Sequence, residues 1–347
     1  MGDRLSERSR HILEAIIEDY IATAEPVGSR TITRRHGISL SPATVRNVMA
    51  DLEEMGLLVS PHTSAGRVPT EKAYRLYVDS LLEVRGIAPE ERDMIGRQCN
   101  IAGRDVGSVL KETSRMLSCL SRYTGVVVAP RFTTNMFRQI EFVKLGGRRV
   151  LAILVSRSGV VQNKIIESDE EMGTDDLVRM ANYLNDLLAG LTIAEVRNRI
   201  REEMLTEKAR YDAMLARALR LSEQTFAGGE GGDASGLFIE GQANILSQPE
   251  FSDIDRMREV FHAFEEKGQL LELLDRCVNA EGVQIFIGSE THLHQMSGMS
   301  LITSTYMTGR DTVGVLGVIG PTRMGYGKVI PIVDYTAKLV SRLLEME

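Results

Sequence analysis

The sequence predicts an α+β protein of several domains, in which a small helical domain with a β-hairpin precedes a mixed sheet domain. Length is the first observation, because 347 residues with 43% hydrophobic content are enough for two or three cores. The second is the helical spacing of apolar residues over most of residues 1–82. The third is a series of strand-like segments in 124–166 and 283–320, each followed by a helical segment.

The sequence predicts two helices at the N-terminus, and each of them ends at a clear break. Residues 6–23 place apolar side chains on one stripe, and Ser6 is available as the N-cap. Residues 29–36 form a second, short helix that is closed by Gly37. A further helix follows after a tight turn, and two helices joined in this way predict a helix-turn-helix.

The third helix is expected over residues 42–55. Ser41 is a good N-cap, Pro42 fits the first helical position, and Gly56 supplies a left-handed C-terminal stop. One face of the helix is apolar and is expected to be buried, and it consists of Val45, Val48, Met49, Leu52 and Met55.

The opposite face of the third helix predicts contact with DNA bases. Arg46 can bond bidentately to guanine and Asn47 to adenine, while the neighbouring Ala43 and Ala50 allow close approach to base edges. An ordinary amphipathic helix with a solvated face is the competing interpretation. The preceding helix and turn favour DNA recognition, with the third helix as the reading helix.

Charge limits how this protein can bind nucleic acid. The net charge of −7 argues against binding through overall basicity, so DNA contacts require a local patch. Residues 26–50 supply one, since they contain four arginines and no carboxylate. A chance run of surface arginines is the alternative. We expect phosphate contacts from the following side chains: Arg30, Arg34, Arg35, Ser41 and Thr44.

A β-hairpin is predicted after the reading helix. The strand-like segments 57–59 and 67–68 flank a loop of turn-forming and small hydroxyl residues. Such a hairpin is a wing, and its Arg67 is expected to reach the DNA backbone or the minor groove. A fourth helix, capped by Thr70, completes a winged-helix domain over residues 1–82.

The remaining chain is expected to form a linker, a sheet domain in two parts, and an insertion. The linker is 83–104, the two parts of the α/β domain are 105–190 and 250–347, and the inserted segment is 191–249. A long charged helix over 193–226 precedes a glycine-rich loop and distinguishes the insertion. Its apolar side chains predict a dimer contact, unless the helix packs on its own sheet domain: Met204, Leu205, Met214, Leu215, Leu219 and Leu221.

No catalytic centre, metal site or cofactor is predicted. Residues 228–232 are glycine-rich but lack the ending of a phosphate-binding P-loop. His292 and His294 have no second ligand cluster near them in the sequence. Ser108 and Lys111 have the spacing of a serine acyl-enzyme motif but lack its partner motifs.

The spacing of the cysteines and the length of the apolar runs predict the cellular compartment of the protein. Three widely spaced cysteines are typical of reduced thiols in a cytoplasmic protein. No apolar run reaches the roughly 18 residues that span a bilayer, so neither secretion nor membrane insertion is expected.

Three adjoining blocks of sequence carry a family resemblance. LSERSRHILEAIIEDYIATAEPVGSRTITRR, SPATVRNVMADLEEMGLL and HTSAGRVPTEKAYRLYVDSL together resemble the HrcA heat-inducible transcription repressors, and GPTRMGY near the C-terminus is also similar to that family. Ala73 departs from the pattern, because most members are expected to have Gly there. Ala is the better helix former by roughly 0.8–1 kcal/mol, so this change puts no function in doubt.

The resemblance implies a layout and a target. It implies a GAF-like α/β domain interrupted by an inserted dimerisation domain, a homodimer, and double-stranded DNA with a CIRCE-type inverted repeat upstream of chaperone operons. It also implies that the active fold depends on the GroEL chaperonin. Two alternatives stay open: a repressor switched by a small molecule in the GAF-like domain, and an enzyme with an accessory winged helix. The enzyme requires a convergent polar pocket, which the sequence does not assemble.

Overall fold

The computed structural model describes residues 5–37, 40–61, 66–82, 86–98, 106–129, 136–156, 161–204, 213–226, 236–251, 253–278, 280, 282–308 and 311–345. Its helices, numbered in chain order, are α1 (Glu7–Thr23), α2 (Ser29–Arg35), α3 (Pro42–Glu54), α4 (Glu71–Leu76), α5 (Pro89–Gln98), α6 (Val106–Ser121), α7 (Thr174–Leu188), α8 (Ile193–Met204), α9 (Ala213–Phe226), α10 (Gln242–Leu246), α11 (Ile254–Glu265), α12 (Lys267–Cys277) and α13 (Tyr326–Glu345).

The strands follow the same numbering. They are β1 (Leu58–Val59), β2 (Val68–Pro69), β3 (Thr124–Val128), β4 (Phe137–Gly146), β5 (Arg149–Ser156), β6 (Val161–Glu167), β7 (Leu237–Glu240), β8 (Val283–Ile287), β9 (Met299–Thr308) and β10 (Asp311–Pro321). They form a hairpin of β1 and β2, a five-stranded sheet and a three-stranded sheet.

The N-terminal domain is the winged helix that the sequence predicts. Helices α1, α2 and α3 occur in the expected order, and β1 pairs antiparallel with β2 to form the wing. Ser6 caps α1 by accepting a hydrogen bond from the Ser9 backbone N–H at 3.1 Å. The apolar faces of the helices meet in one core, which includes Ile12, Ile16, Ile32, Val45, Val48, Met49 and Leu52.

The larger sheet is antiparallel throughout, with strand order β7-β3-β10-β9-β8. Successive residues of β10 point to opposite faces, as a period of two requires. Leu316 and Val318 share a core with α6 and α13, whereas Val315 and Ile319 share a core with α11 and α12. The sheet is therefore covered by helices on both faces.

The insertion has different bounds from those expected. Strand β3 ends beside Ala129, and the chain returns at Gly236 to begin β7, which pairs with β3. The predicted insertion, 191–249, included β7 and excluded β4, β5 and β6. Those three strands instead form a separate sheet, which shares a hydrophobic core with α7, α8 and α9. Period-two spacing identifies strands but does not say which sheet they join, so the sequence assigned them to the wrong sheet.

The long charged helix of the insertion is described in two parts, α8 and α9. Leu219 and Leu221 of α9 are buried against the three-stranded sheet of their own unit. For these two residues the predicted dimer contact is wrong, and the alternative, in which the helix packs on its own sheet domain, holds with the three-stranded sheet as the partner. Leu205 and the side chains of Met204, Met214 and Leu215 lie outside the described residues.

The winged helix is docked on the five-stranded sheet domain rather than tethered by a free linker. Tyr74 of α4 lies against Tyr326 at the start of α13, with ring centroids 6.1 Å apart. Helix α5 lies within the predicted linker, and its Ile95 is fully buried in the core that both domains share. Arg92 of α5 stacks over the ring of Tyr335 at 5.5 Å, which adds a cation–π contact.

Candidate DNA-binding surface

Residues at both ends of the reading helix α3 determine where it begins and where it ends. The Ser41 side chain accepts a hydrogen bond from the Thr44 backbone N–H at 3.1 Å, and Pro42 occupies the first turn. Gly56 follows the helix with a φ of +70°, a conformation that glycine adopts without strain. Beyond it, Lys72 donates from Nζ to the Met55 carbonyl at 2.8 Å, which helps to satisfy the C-terminal end.

Arg46 and Asn47 are both exposed on α3, opposite the buried Val45, Val48 and Leu52. Ala43 and Ala50, which flank them, are exposed as well. The face therefore consists of two base-reading side chain types and small neighbours, as a helix that enters the major groove requires.

The arginines of α2 divide into two kinds. Arg30 and Arg34 are exposed and form no ion pair with any residue that the structure describes. Arg35 is also exposed, but its Nη1 lies 3.3 Å from Oδ1 of Asp19 in α1. Helix α2 packs against α3, so all three arginines lie on the helix next to the reading helix. Two of the three are thus available for phosphate, and the third must share its charge with Asp19.

Ser41 and Thr44 lie together at the N-terminus of α3. Their hydroxyl oxygens are 2.9 Å apart, with Ser41 exposed and Thr44 half-buried. The positive end of the helix dipole and the free backbone N–H groups make such a position favourable for a phosphate. Ser41 Oγ already accepts the cap hydrogen bond, so a phosphate contact would be made by donation of its hydroxyl proton.

Arg67 directly precedes β2, the second strand of the wing, and its guanidinium is bound within the domain. Its Nε donates to Glu53 Oε2 at 2.8 Å, and its Nη1 donates to Ser60 Oγ at 3.2 Å. Its backbone exchanges two 2.9 Å hydrogen bonds with Val27. The Arg67 side chain therefore links the wing to Glu53 of α3. Its predicted contact with DNA stays a prediction. Residues 62–65 of the wing lie outside the described residues.

Sequence reasoning missed a buried carboxylate beneath this surface. Asp19 of α1 is 7% exposed, and its Oδ1 faces Arg35 and, at 3.4 Å, His36 Nε2. Its second oxygen has no hydrogen-bond partner among the described residues. Its position in the sequence could have revealed this burial. Asp19 follows Ala15 by four residues and Ile16 by three, so it lies on the apolar stripe of α1.

A cavity near this surface has a volume of about 510 Å³ and is open to solvent. It lies along α1 and the end of α2, and its lining residues are Arg8, His11, Ile12, Glu14, Ala15, Glu18, His36 and Leu40. This groove belongs to the winged helix. It therefore does not support the alternative in which a small molecule binds within the GAF-like domain.

The residues considered for other chemistry are dispersed. His292 and His294 are exposed, and the described part of the chain contains no cluster of three or more His, Cys, Asp or Glu that could hold a metal. Ser108 and Lys111 lie on the exposed side of α6, and residues 228–232 lie outside the described residues. Burial raises the pKa of the Cys277 thiol, which disfavours its reactive thiolate. Among the described helices, none has the length and apolar character needed to cross a membrane.

A capped helix that exposes Arg46 and Asn47, with a wing and a helix-turn-helix, defines a winged-helix DNA-binding regulator. The sequence matches the family described as "Winged helix-turn-helix transcription repressor, HrcA DNA-binding" over residues 4–80. It also matches "HrcA protein C terminal domain" over residues 107–330. The chain belongs to the HrcA family of transcription repressors.

Similar proteins agree with this assignment over nearly the whole chain. A heat-inducible transcription repressor HrcA from Geobacter sulfurreducens is 69% identical and covers 99% of both chains. One from Syntrophobacter fumaroxidans is 46% identical and covers 98% of both. A crystal structure described as that of a hypothetical protein, at 2.2 Å resolution, is 21% identical with a TM-score of 0.63 over 99% of both chains, and so supports the fold.

Proposed function

We propose that this chain is a heat-inducible repressor that binds, as a homodimer in the cytoplasm, a CIRCE-type inverted repeat upstream of chaperone operons. The observation that carries the proposal is the exposed pair Arg46 and Asn47 on the capped reading helix. Both relatives described above are heat-inducible transcription repressors. The resemblance to the HrcA family implies that the operator is a CIRCE-type inverted repeat. Arg30 and Arg34 support it, because exposed arginines beside a reading helix supply phosphate contacts.

A gel shift tests the operator. The full chain is titrated against a CIRCE-type palindrome and against scrambled DNA of equal length, at a fixed salt concentration near 150 mM. We expect the palindrome to bind at least about a thousandfold more tightly, the low end for specific recognition. Equal affinity for the two DNAs would contradict sequence-specific repression.

The homodimer is supported by an apolar sheet face in the inserted unit. The outward side of the sheet β4-β5-β6 exposes Val143, Leu145, Val161 and Ile165, each 43–62% exposed. Val143 and Ile165 flank Leu151 in one row across the three strands. Exposed apolar side chains grouped on one sheet face mark an interaction surface. We assign the dimer contact to this outer sheet face, in place of the helix over 193–226.

Charge substitution tests the dimer. Ile165→Glu places a carboxylate in the row of Val143, Leu151 and Ile165 on the outer sheet face and should shift the protein from dimer to monomer in sedimentation. Val178→Glu is the matched control, because Val178 is 51% exposed but lies on α7, away from that face. A dimer that survives Ile165→Glu and is broken by Val178→Glu would reverse this assignment.

Dependence on the GroEL chaperonin is supported by the order in which the sheet must assemble. Strand β3 pairs with β7 and β10, which come more than 100 residues later in the chain. Pairing of such distant segments is slow and leaves apolar strands exposed during folding. We expect purified chaperonin to raise the fraction of protein that binds operator, without joining the final complex. A preparation that refolds to full activity alone after mild heating would contradict this.

A further inference from the structure

Arg323 lies in the GPTRMGY segment between β10 and α13, and it contacts two separate parts of the chain. Its Nε and Nη2 form a fork with the two carboxylate oxygens of Glu250, and Nη2 also donates to Gln248 Oε1 at 3.1 Å. Its Nη1 donates to the Ile21 carbonyl at 3.0 Å. The side chain is only 10% exposed, so these bonds are made away from most of the solvent.

Ile21 is in the last turn of α1, where backbone carbonyls lack partners within the helix. A cation is favourable there, but α1 has no basic residue in its last turn. Arg323 supplies a charged hydrogen-bond donor from the sheet domain, and it shares its charge with Glu250. Since α1 and α3 share the core of the winged helix, a contact that fixes α1 also fixes the direction of the reading helix.

A second group of contacts holds α4 of the same domain. Arg75 donates to both carboxylate oxygens of Glu290, and its Nη2 also donates to the Ile285 carbonyl at 2.6 Å. Glu71 Oε2 accepts from the Ser289 backbone N–H at 3.1 Å and from its hydroxyl at 2.7 Å. These polar contacts on α1 and on α4 hold the winged helix on the sheet domain, in addition to the hydrophobic core that the two domains share.

We propose that Arg323 is a positioning residue that fixes the winged helix on the sheet domain and so determines which half-site spacing the dimer accepts. This inference rests on the proposed binding of an inverted repeat. Each base pair added between half-sites rotates one of them by roughly 34–36° and moves it by about 3.4 Å, since DNA has 10–10.5 base pairs per turn. A dimer with fixed reading helices cannot follow that change, whereas one with released domains can.

Operators with altered spacers test the proposal. Affinities of the full chain are measured for the palindrome with its spacer unchanged and with one, two or five base pairs added. For the unsubstituted chain we expect a loss of at least about tenfold at two added base pairs. For Arg323→Gln we expect weaker binding to the unchanged palindrome and a smaller difference between spacers than in the unsubstituted chain, because a less rigidly held domain makes effective concentration less dependent on geometry.

The controls separate spacing from general damage. Arg258→Gln removes the same charge from an exposed side chain on α11 and should keep the profile of the unsubstituted chain. Glu290→Gln breaks the second attachment and should broaden the profile as Arg323→Gln does, which keeps the test decisive if the latter variant does not fold. An unchanged spacing profile, or tighter binding at every spacer, in the variants would overturn the proposal. An unsubstituted chain that ignores palindromes would instead overturn the proposed function.

Discussion

Ala129 donates its backbone N–H to the carbonyl oxygen of Gly236 across 2.6 Å, so the chain leaves and re-enters the five-stranded sheet at adjacent points. The unit between them has its own sheet and its own hydrophobic core. It is therefore a structural insertion that adds to the sheet domain without completing it.

The adjacency of these two residues predicts that the insertion can be removed. Replacing residues 130–235 with a short Gly/Ser turn should leave the winged helix and the five-stranded sheet folded, because neither core uses the inserted unit. The shortened protein should sediment as a monomer. It should also lose roughly 10²–10⁴-fold in affinity for the palindrome, the gain that linked half-site binding provides. A shortened protein that remains a tight-binding dimer would contradict the assignment of the dimer contact.

Arg34→Ala should weaken binding to the palindrome and to scrambled DNA alike. Arg34 is exposed on α2 and is expected to neutralise one phosphate, so its loss should reduce the slope of log affinity against log salt by about one. Titrations at several salt concentrations measure the slope. Arg342→Ala, at an exposed site on α13, is the control and should leave it unchanged. An unchanged slope in Arg34→Ala would show that this arginine faces away from DNA.

A double-mutant cycle separates the two roles open to Arg67. Its ion pair with Glu53 is half-buried, so Arg67→Gln and Glu53→Gln should each lower the free energy of unfolding by roughly 0.5–1 kcal/mol. The double variant should lose little more than either single one, because the same contact is removed. Urea denaturation measures this coupling. Strictly additive losses would mean that the ion pair does not hold the wing.

Stability of the docked arrangement should depend on the ionisation of Glu290. Desolvation raises its pKa, but hydrogen bonds from Arg75 and from the Ile287 backbone N–H outweigh this, so the pKa lies below its ordinary value of 4.5. A carboxylate with a lowered folded-state pKa stabilises the protein above its unfolded pKa, and this contribution is lost as the pH falls through the folded value. Glu290→Gln should therefore cost about 1 kcal/mol at pH 7 and much less below pH 4.

Urea denaturation at both pH values checks this dependence. Glu272→Gln is the matched control, because Glu272 pairs with Arg276 at an exposed site. It should show little cost at either pH. A cost of Glu290→Gln that is the same at pH 7 and at pH 4 would contradict the account.

Local signals predicted the winged helix well. The Ser41 cap, Pro42 and Gly56 each act over a few residues, so they fix the ends of α3 without knowledge of the rest of the chain. The same spacing rules placed Arg46 and Asn47 on the exposed face. Their predicted contact with bases stays a prediction.

Long-range relationships were not predictable in the same way. The pairing of β7 with β3, which moved the insertion bounds, joins segments more than 100 residues apart. Arg323, near the C-terminal end of the chain, donates a hydrogen bond to a carbonyl of α1. No local sequence pattern predicts that contact. Arg67 was expected at the DNA because the spacing places it in the wing, but spacing does not reveal the carboxylate of Glu53 beside it.

Arg46 provides the most direct test of recognition by the reading helix. Affinities of the unsubstituted chain and of Arg46→Ala are measured on the palindrome and on scrambled DNA of equal length, at one salt concentration. Because Arg46 is exposed on α3 and is expected to bond a base edge, the variant should lose about 1–3 kcal/mol on the palindrome and little on scrambled DNA. Equal losses on the two DNAs would mean that Arg46 contacts only phosphate, and would contradict base reading by this helix.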